Sequence, residues 1–279
     1  MNTLAFSGIV FAASFCAGFL GSLTGLGGGV VIVPLLTLVF GADIRYAIGA
    51  SLVSIIATSS GAAAAYVKEG FTNIRIGMLL EIATTVGALV GASLVAVIPA
   101  NVISVIFGLV LLQSAYLASK HRPEHATANL PPDPLAARLK LDATFPTAEG
   151  WIPYHVRRIP GGFALMWLAG VLSGLLGIGS GAVKVLAMDQ VMYLPFKVST
   201  ATSNFMIGVT AAASAGIYLR HGYVDPGLAM PVMLGVLAGS TVGARLLFGT
   251  PTRRLRLLFA AVIVTIGLDM IYHGAFGGR

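Results

Sequence analysis

Two glycine-rich segments carry the clearest candidate binding chemistry in the chain, Gly25-Leu-Gly-Gly-Gly29 and Gly177-Ile-Gly-Ser-Gly181. Each stands just before a short apolar segment, so backbone N–H groups at the start of a helix would be free to bind an anion. They do not match the dinucleotide-binding pattern, because Val30 occupies the position where its last glycine is needed. Close helix packing through small residues is the alternative explanation. The predicted substrate-binding residues of the two turns are Gly27, Gly28, Gly29, Gly179, Ser180 and Gly181.

A lysine follows the second turn. Lys184 lies three residues after Gly181, and a lysine at the centre of a membrane helix costs about 2.5–3.5 kcal/mol. We therefore predict that Lys184 anchors a negatively charged substrate, although it could instead reach the membrane interface or pair with Asp189. Glu81, in another apolar segment, is the second unexpected charge. It is predicted to be a coupling residue that carries a proton, or simply the counter-ion of Lys184 when no substrate is bound.

Hydroxyl side chains recur at helical spacing in two further apolar segments. Ser51 and Thr58 are seven residues apart, so they share one face of a helix. Hydroxyl and amide groups can donate to an oxyanion, although hydrogen bonds between helices, worth about 0.6 kcal/mol each, would also explain them. The predicted substrate-binding residues of these segments are Ser51, Thr58, Thr202, Ser203, Asn204 and Thr210.

No enzymatic site is predicted. His121-Arg-Pro-Glu-His125 formally matches a metalloprotease pattern, but Pro123 would break the helix that must place both histidines on one face. No nucleotide-binding motif is present, and the histidines all lie at or outside the ends of the apolar segments. The sequence therefore predicts no cofactor, no metal site and no catalytic residue.

These candidate residues lie in a chain whose composition is typical of a membrane protein. Of its 279 residues, 57% are apolar and 10% are charged, whereas soluble domains carry about 25% charged residues. Most of the surface must therefore meet lipid. The net charge of +7 does not indicate a nucleic-acid partner, because the basic residues are scattered through short loops. The first of them is Arg45, so the N-terminal apolar segment is predicted to be a retained membrane segment rather than a signal peptide.

The chain divides into two related halves separated by a polar connector. Residues 1–119 are predicted to form the first transmembrane repeat, 120–160 a cytoplasmic connector with one short helix near Pro134–Leu141, and 161–279 the second repeat. A constant offset of 152 residues relates the halves without a gap over some ninety residues, which indicates gene duplication. Five apolar segments are predicted in each half, at roughly 4–24, 29–41, 46–67, 76–98 and 102–119, and at 161–177, 181–194, 198–219, 227–249 and 257–273.

Glycines at every fourth residue are predicted to let helices pack backbone to backbone. They are Gly235, Gly239 and Gly243 in the second half, with Gly87 and Gly91 at the matching positions of the first.

The short first pair of segments in each half, joined by a glycine-rich turn, predicts a helical hairpin whose tip lies within the membrane. Two full helices with an extramembrane turn are the alternative.

Basic loop residues favour the cytoplasm and predict how the two repeats are oriented. They cluster in the connector, in the loop after the third segment and before the last segment. All three regions can be cytoplasmic only if the second repeat is inverted relative to the first. The predicted fold is an all-α polytopic membrane protein of two inverted repeats, each with an intramembrane hairpin and about three transmembrane helices.

The two glycine-rich turns, together with Ser-Thr-Ala-Thr-Ser-Asn-Phe-Met-Ile-Gly-Val-Thr-Ala at 199–211, resemble the TauE/SafE family. The stretches Gly239-Ser-Thr-Val-Gly-Ala-Arg245 and Gly87-Ala-Leu-Val-Gly-Ala-Ser93 are similar to it too. The resemblance covers both repeats and leaves out the connector. It implies a transporter of the bacterial inner membrane, more often an exporter, for sulfite, an organosulfonate or a related anion. A passive anion channel and an importer of a related oxyanion are the alternatives.

Overall fold

A computed structural model describes residues 3–24, 29–68, 70–119, 133–147, 150–246 and 252–276. Apolar runs form the helices, as the sequence predicts. The first half contains α1 (Thr3–Thr24), α2 (Gly29–Pro34) continued by a π-helical turn (Leu35–Val39), α3 (Ile44–Lys68), α4 (Ile74–Leu94) and α5 (Ala100–Ser119). The second half contains α7 (Ile159–Leu176), α8 (Gly181–Leu186) continued by a π-helical turn (Ala187–Val191), α9 (Phe196–Arg220), α10 (Pro226–Leu246) and α11 (Thr252–Phe276).

Each helix begins and ends within a few residues of its predicted segment. By length and composition, α4 and α7 are the two described helices that could cross a membrane, and α1, α2 with its π-helical turn, α3, α5, α10 and α11 contain shorter apolar stretches. Large apolar side chains cover the outside of these helices; Met78 and Ile82 on α4, for example, are 63% and 61% exposed. Such a surface would be unfavourable in water, and it agrees with the lipid-facing surface that the composition predicts.

The connector contains a short helix, α6 (Pro134–Arg138), and an antiparallel hairpin of β1 (Ala143–Thr147) and β2 (Gly150–Tyr154). The helix was predicted and the two strands were not. Pro146 and Pro153, one in each strand, argue against strands because proline cannot donate to a sheet. The hairpin forms because Phe145 and Tyr154 turn inward and pack together, with ring centroids 6.1 Å apart. Their rings join an apolar cluster that includes Ile76 and Leu80 of α4, Met188 of the π-helical turn after α8, and Met192, which follows that turn.

Glycines bring α4 and α7 into backbone contact. A Cβ atom at Gly87 would collide with the carbonyl oxygen of Trp167, and one at Gly91 would collide with that of Val171. Only glycine permits this approach, which small residues provide generally in membrane helices. Since residue numbers rise together along the contact, α4 and α7 run parallel.

The same packing joins α1 and α10. Gly235 lies against Phe11 and Gly239 against Phe15, again backbone to backbone, so these helices are also parallel. The packing role predicted for Gly87, Gly91, Gly235 and Gly239 is confirmed. Gly243 lies beyond the part of α10 whose surroundings the structure describes.

Two further pairs bring together helices that occupy the same position in the two halves, α3 with α9 and α5 with α11. In both pairs the residue numbers rise in opposite directions along the contact, so the helices are antiparallel. The contacts that define these directions are Tyr46–Tyr223 and Ser59–Gly208 for the first pair, and Asn101–Gly274 and Gly108–Gly267 for the second.

Candidate functional site

The second glycine-rich turn joins α7 to α8 in four residues. Gly177 and Gly179 have φ values of 63° and 71°, and Ser180 has a φ of 47°. Residues with a side chain rarely adopt this left-handed region. Glycine is therefore favoured at positions 177 and 179, and the backbone of Ser180 is strained. The Ser180 hydroxyl is buried and has no hydrogen-bond partner among the described residues. A buried hydroxyl in this state can accept or donate a bond to a ligand that enters beside it.

The start of α2 lies against the second turn. Gly27 and Gly28 are outside the described residues, but Gly29 begins α2 and is buried. A Cβ atom at Gly29 would come within 2.8 Å of the Ser51 hydroxyl and 3.2 Å of the Gly177 carbonyl oxygen. The Ser51 hydroxyl donates to that same carbonyl oxygen over 2.7 Å. The start of α2, the middle of α3 and the end of α7 therefore meet at one point.

A chain of three polar side chains crosses the core next to the second turn. The Lys184 ammonium on α8 is fully buried and donates to the Thr210 hydroxyl on α9 over 2.6 Å. The Thr210 hydroxyl in turn lies 2.7 Å from Oε1 of Glu81 on α4. Lys184 thus stays inside the protein rather than reaching an interface, and a single hydroxyl joins it to the carboxylate.

The remaining predicted hydroxyl and amide groups are less concentrated. Ser203 approaches the start of α8, where its hydroxyl lies 3.4 Å from the carbonyl oxygen of Gly181. Asn204 donates to Thr200 of its own helix, and Thr58 bonds to carbonyl oxygens of its own helix. Thr202 lies two turns before Thr210 on α9. Its hydroxyl accepts a hydrogen bond from the backbone N–H of Asn73 over 3.1 Å. The structure thus groups Ser203 and Thr210 with the second turn and leaves Thr58, Thr202 and Asn204 apart from it.

Sequence reasoning missed Asn73, which ties three elements together. Its side-chain oxygen caps the start of α4 by accepting the N–H of Ile76. Its amide donates to the Leu141 carbonyl oxygen and to the Tyr154 hydroxyl of the connector. Burial raises the pKa of Tyr154 to about 12, so this hydroxyl stays protonated. An asparagine directly before an apolar helix is a capping signal, and that signal was available in the sequence.

The space beside the second turn is nearly closed. Val30, Val110, Ser114, Ser180 and Gly181 line a cavity of about 10 Å³. This is about the smallest space that holds one water molecule, and an oxyanion is larger. Within the described residues, no group of three or more acidic, histidine or cysteine side chains is placed to hold a metal ion. The cavity offers two hydroxyls and turn backbone, groups that suit an anion. The Lys184 ammonium is not among its lining groups; it bonds to Thr210 on α9.

A fully buried cation one turn after a glycine-rich turn, in a helical bundle with an apolar outer surface, is an arrangement typical of a membrane protein. The chain belongs to the TauE/SafE family: the family model described as "Sulfite exporter TauE/SafE" matches residues 10–270. It is therefore a membrane protein of a transporter family.

Curated relatives support this membership over nearly the whole chain. "Probable membrane transporter protein YunE" of Bacillus subtilis (strain 168) is 30% identical and covers 96% of this chain and 98% of its own length. "Probable membrane transporter protein YdhB" of the same strain is 28% identical, covering 85% and 89%. "Probable membrane transporter protein MJ0441" of Methanocaldococcus jannaschii is 24% identical, covering 94% of each chain. No solved structure gives a significant match.

Proposed function

We propose that this protein is a secondary-active transporter that exports a small sulfur-containing anion, such as sulfite or an organosulfonate. The observation that carries the proposal is the fully buried Lys184 ammonium, which is bonded to Thr210 at the second glycine-rich turn. An unpaired ammonium in the membrane interior is costly, and an anionic substrate would offset that cost. The description of the family as sulfite exporters directs the choice of anion and of direction.

Alternating access is the proposed mechanism. The cavity beside the second turn holds about 10 Å³, so an oxyanion can enter only when the surrounding helices move apart. Ser51 of α3 donates to Gly177 of the second turn, so one partner of this contact comes from each repeat. Movement of one repeat against the other would therefore open the site to one side of the membrane at a time.

We also propose that the two repeats, 1–119 and 161–279, are inverted in the bacterial inner membrane. The support is the direction of the helices: α3 is antiparallel to α9 and α5 to α11, although each pair occupies equivalent positions in the two halves. The parallel packing of α1 with α10 and of α4 with α7 is what an inverted arrangement of the two halves predicts. Both chain ends then lie on one side of the membrane, and the 120–160 connector lies on the other, cytoplasmic side.

A substrate screen on the purified protein tests the proposal. We expect sulfite or an organosulfonate to raise the thermal unfolding temperature, because a ligand at a hundredfold its dissociation constant stabilises by about 2.7 kcal/mol. Sulfate, thiosulfate and taurine are the comparison compounds. Reconstituted protein should then exchange the labelled anion against unlabelled anion in counterflow. A conductance without saturable counterflow would indicate a passive channel, and no response to any anion would overturn the proposal.

A further inference from the structure

We infer that Glu81 carries one proton with each substrate anion, at the carboxylate oxygen that has no hydrogen-bond partner among the described residues. The inference rests on the proposed function and adds to it the identity of the coupling ion. Oε1 of Glu81 lies 2.7 Å from the Thr210 hydroxyl and accepts from the Thr85 hydroxyl over 3.1 Å. Oε2 is buried and has no hydrogen-bond partner among the described residues.

The unpartnered oxygen makes Glu81 more than a counter-ion. A carboxylate that serves only to neutralise Lys184 would be most stable with donors to both of its oxygens. Here one oxygen receives two hydroxyl contacts and the other receives none from the described residues. A proton at Oε2 removes the negative charge while leaving the contacts of Oε1 in place. The geometry thus allows Glu81 to change charge without a rearrangement of its neighbours.

The charges of the site set the stoichiometry. In the empty site the ammonium of Lys184 and the carboxylate of Glu81 sum to zero. A bound monoanion beside an ionised Glu81 would leave one negative charge buried, which costs several kcal/mol even after relaxation. If Glu81 takes one proton from the aqueous side as the anion binds, the loaded site is neutral too. The protein can then close around the site with or without substrate, because the buried charges sum to zero in both cases. The proton leaves when the anion leaves.

Thr210 provides the means of separating the two charged groups. Its hydroxyl lies 2.7 Å from Oε1 of Glu81 and 2.9 Å from the carbonyl oxygen of Met206, one turn earlier on α9. A hydroxyl has one proton and can donate to one of these acceptors at a time. When the anion replaces Thr210 as the partner of Lys184, the hydroxyl keeps an acceptor whether or not Glu81 is charged.

No other charge competes with Lys184 for Glu81 along the two helices that pack on α4. α7 has no ionisable residue between Ile159 and Leu176, and the charged residues of α9, Lys197 and Arg220, lie at its two ends and are exposed. The hydroxyl of Tyr218, also near the end of α9, donates to carbonyl oxygens of α7. Asp189, in the π-helical turn after α8, accepts from the amide of Gln190. At the start of α4, about two turns before Glu81, Arg75 donates to the Lys140 carbonyl oxygen and the Tyr154 hydroxyl accepts from Asn73. Asp142 and His155 of the connector contact each other.

Calorimetry tests the inference without requiring transport. Isethionate, a monoanion whose own protonation does not change near neutral pH, is titrated into the purified protein in two buffers of different ionisation enthalpy. The difference in binding enthalpy gives the protons taken up for each anion bound. We expect about one for isethionate in the parent protein and none in Glu81→Gln. Asp269→Asn, the same change at an exposed carboxylate on α11, should match the parent.

Proton movement in vesicles provides the second measurement. With a pH dye trapped inside, an inward isethionate gradient should acidify the lumen of vesicles that contain the parent protein and should not do so with Glu81→Gln. Binding without proton uptake in the parent, or equal uptake in Glu81→Gln, would overturn the inference and leave the proposed function standing. Absence of both binding and counterflow in the parent, for sulfite, thiosulfate and isethionate alike, would overturn the proposed function itself.

Discussion

Lys184 and Thr210 illustrate how single residues determine what this site can bind. The ammonium of Lys184 is fully buried, and a hydrogen bond to a charged group contributes about 1.5–3 kcal/mol. We therefore expect Lys184→Met to weaken anion binding roughly 10- to 150-fold, since about 1.4 kcal/mol is a factor of ten. Lys184→Arg should retain part of the affinity, because the charge remains while its shape and reach change.

Titration calorimetry with sulfite or isethionate on each variant measures this effect. Lys197→Met is the control, since Lys197 is an exposed lysine near the start of α9 and its loss should leave the affinity unchanged. Parent-like affinity in Lys184→Met would show that Lys184 does not contact the anion, and its burial would then need another cause.

The two threonines related by the repeat offset offer a matched pair. The Thr210 hydroxyl joins Lys184 to Glu81, whereas the Thr58 hydroxyl bonds only to carbonyl oxygens of its own helix among the described residues. Thr210→Val should lower the free energy of unfolding by about 1–3 kcal/mol, because it leaves the buried Lys184 ammonium and the partly buried Glu81 carboxylate without their shared partner. Thr58→Val should change it by less than about 1 kcal/mol. Thermal unfolding in detergent compares them, and equal effects would contradict the account of Thr210.

Residue types could be chosen from the sequence, and their partners could not. Lys184, Glu81 and Thr210 each stand out as polar residues in apolar segments. That Thr210 faces Glu81, 129 residues away, depends on the register in which α9 packs on α4. Helical periodicity tells which residues of one helix share a face, and it carries no information on the register between two helices. The contact of Gly29 with Gly177 has the same origin.

At the scale of helices, close packing through glycine can be measured directly. A Cβ atom at Gly91 would collide with the backbone of α7 at Val171, whereas one at Gly216 of α9 would meet no atom within 4 Å. We expect Gly91→Ala to destabilise the protein by about 1–3 kcal/mol, as overpacking does. Gly216→Ala should be neutral or stabilise by up to about 1 kcal/mol, because alanine favours a helix. Unfolding temperatures in one detergent compare the pair, and a stable Gly91→Ala variant would mean that α4 and α7 can separate at little cost.

Helices were easier to predict than strands because their apolar runs are long. A run of twenty apolar residues has few alternatives in a chain with 10% charge. The connector hairpin has five residues in each strand and a proline in both, so no periodic pattern identifies it. Its strands form because the inward rings of Phe145 and Tyr154 pack on α4 and on the π-helical turn that follows α8. That packing partner cannot be read from the local sequence.

At the scale of the whole molecule, the proposed inversion predicts where each loop lies. Reporter tags at residues 1 and 279 should both be periplasmic, and a cysteine placed in the 120–160 connector should be labelled only from the cytoplasm. The native Cys16 is exposed, so Cys16→Ser is the background for the labelling. Termini on opposite sides of the membrane would exclude the inverted arrangement and leave parallel repeats.

The contact between α1 and α10 has a consequence for how the protein is made. Gly18 packs on Val236, so the first helix must enter the membrane long before its partner exists. At a synthesis rate of about 5–20 residues per second, the interval is roughly 10–45 s. During that time the face of α1 that includes Phe11 and Phe15 has no α10 to cover it, and lipid or the insertion machinery must hold it. The pairing of α1 with α10 therefore forms only after most of the chain has been made. A ribosome that stalls before α10 leaves α1 without its packing partner.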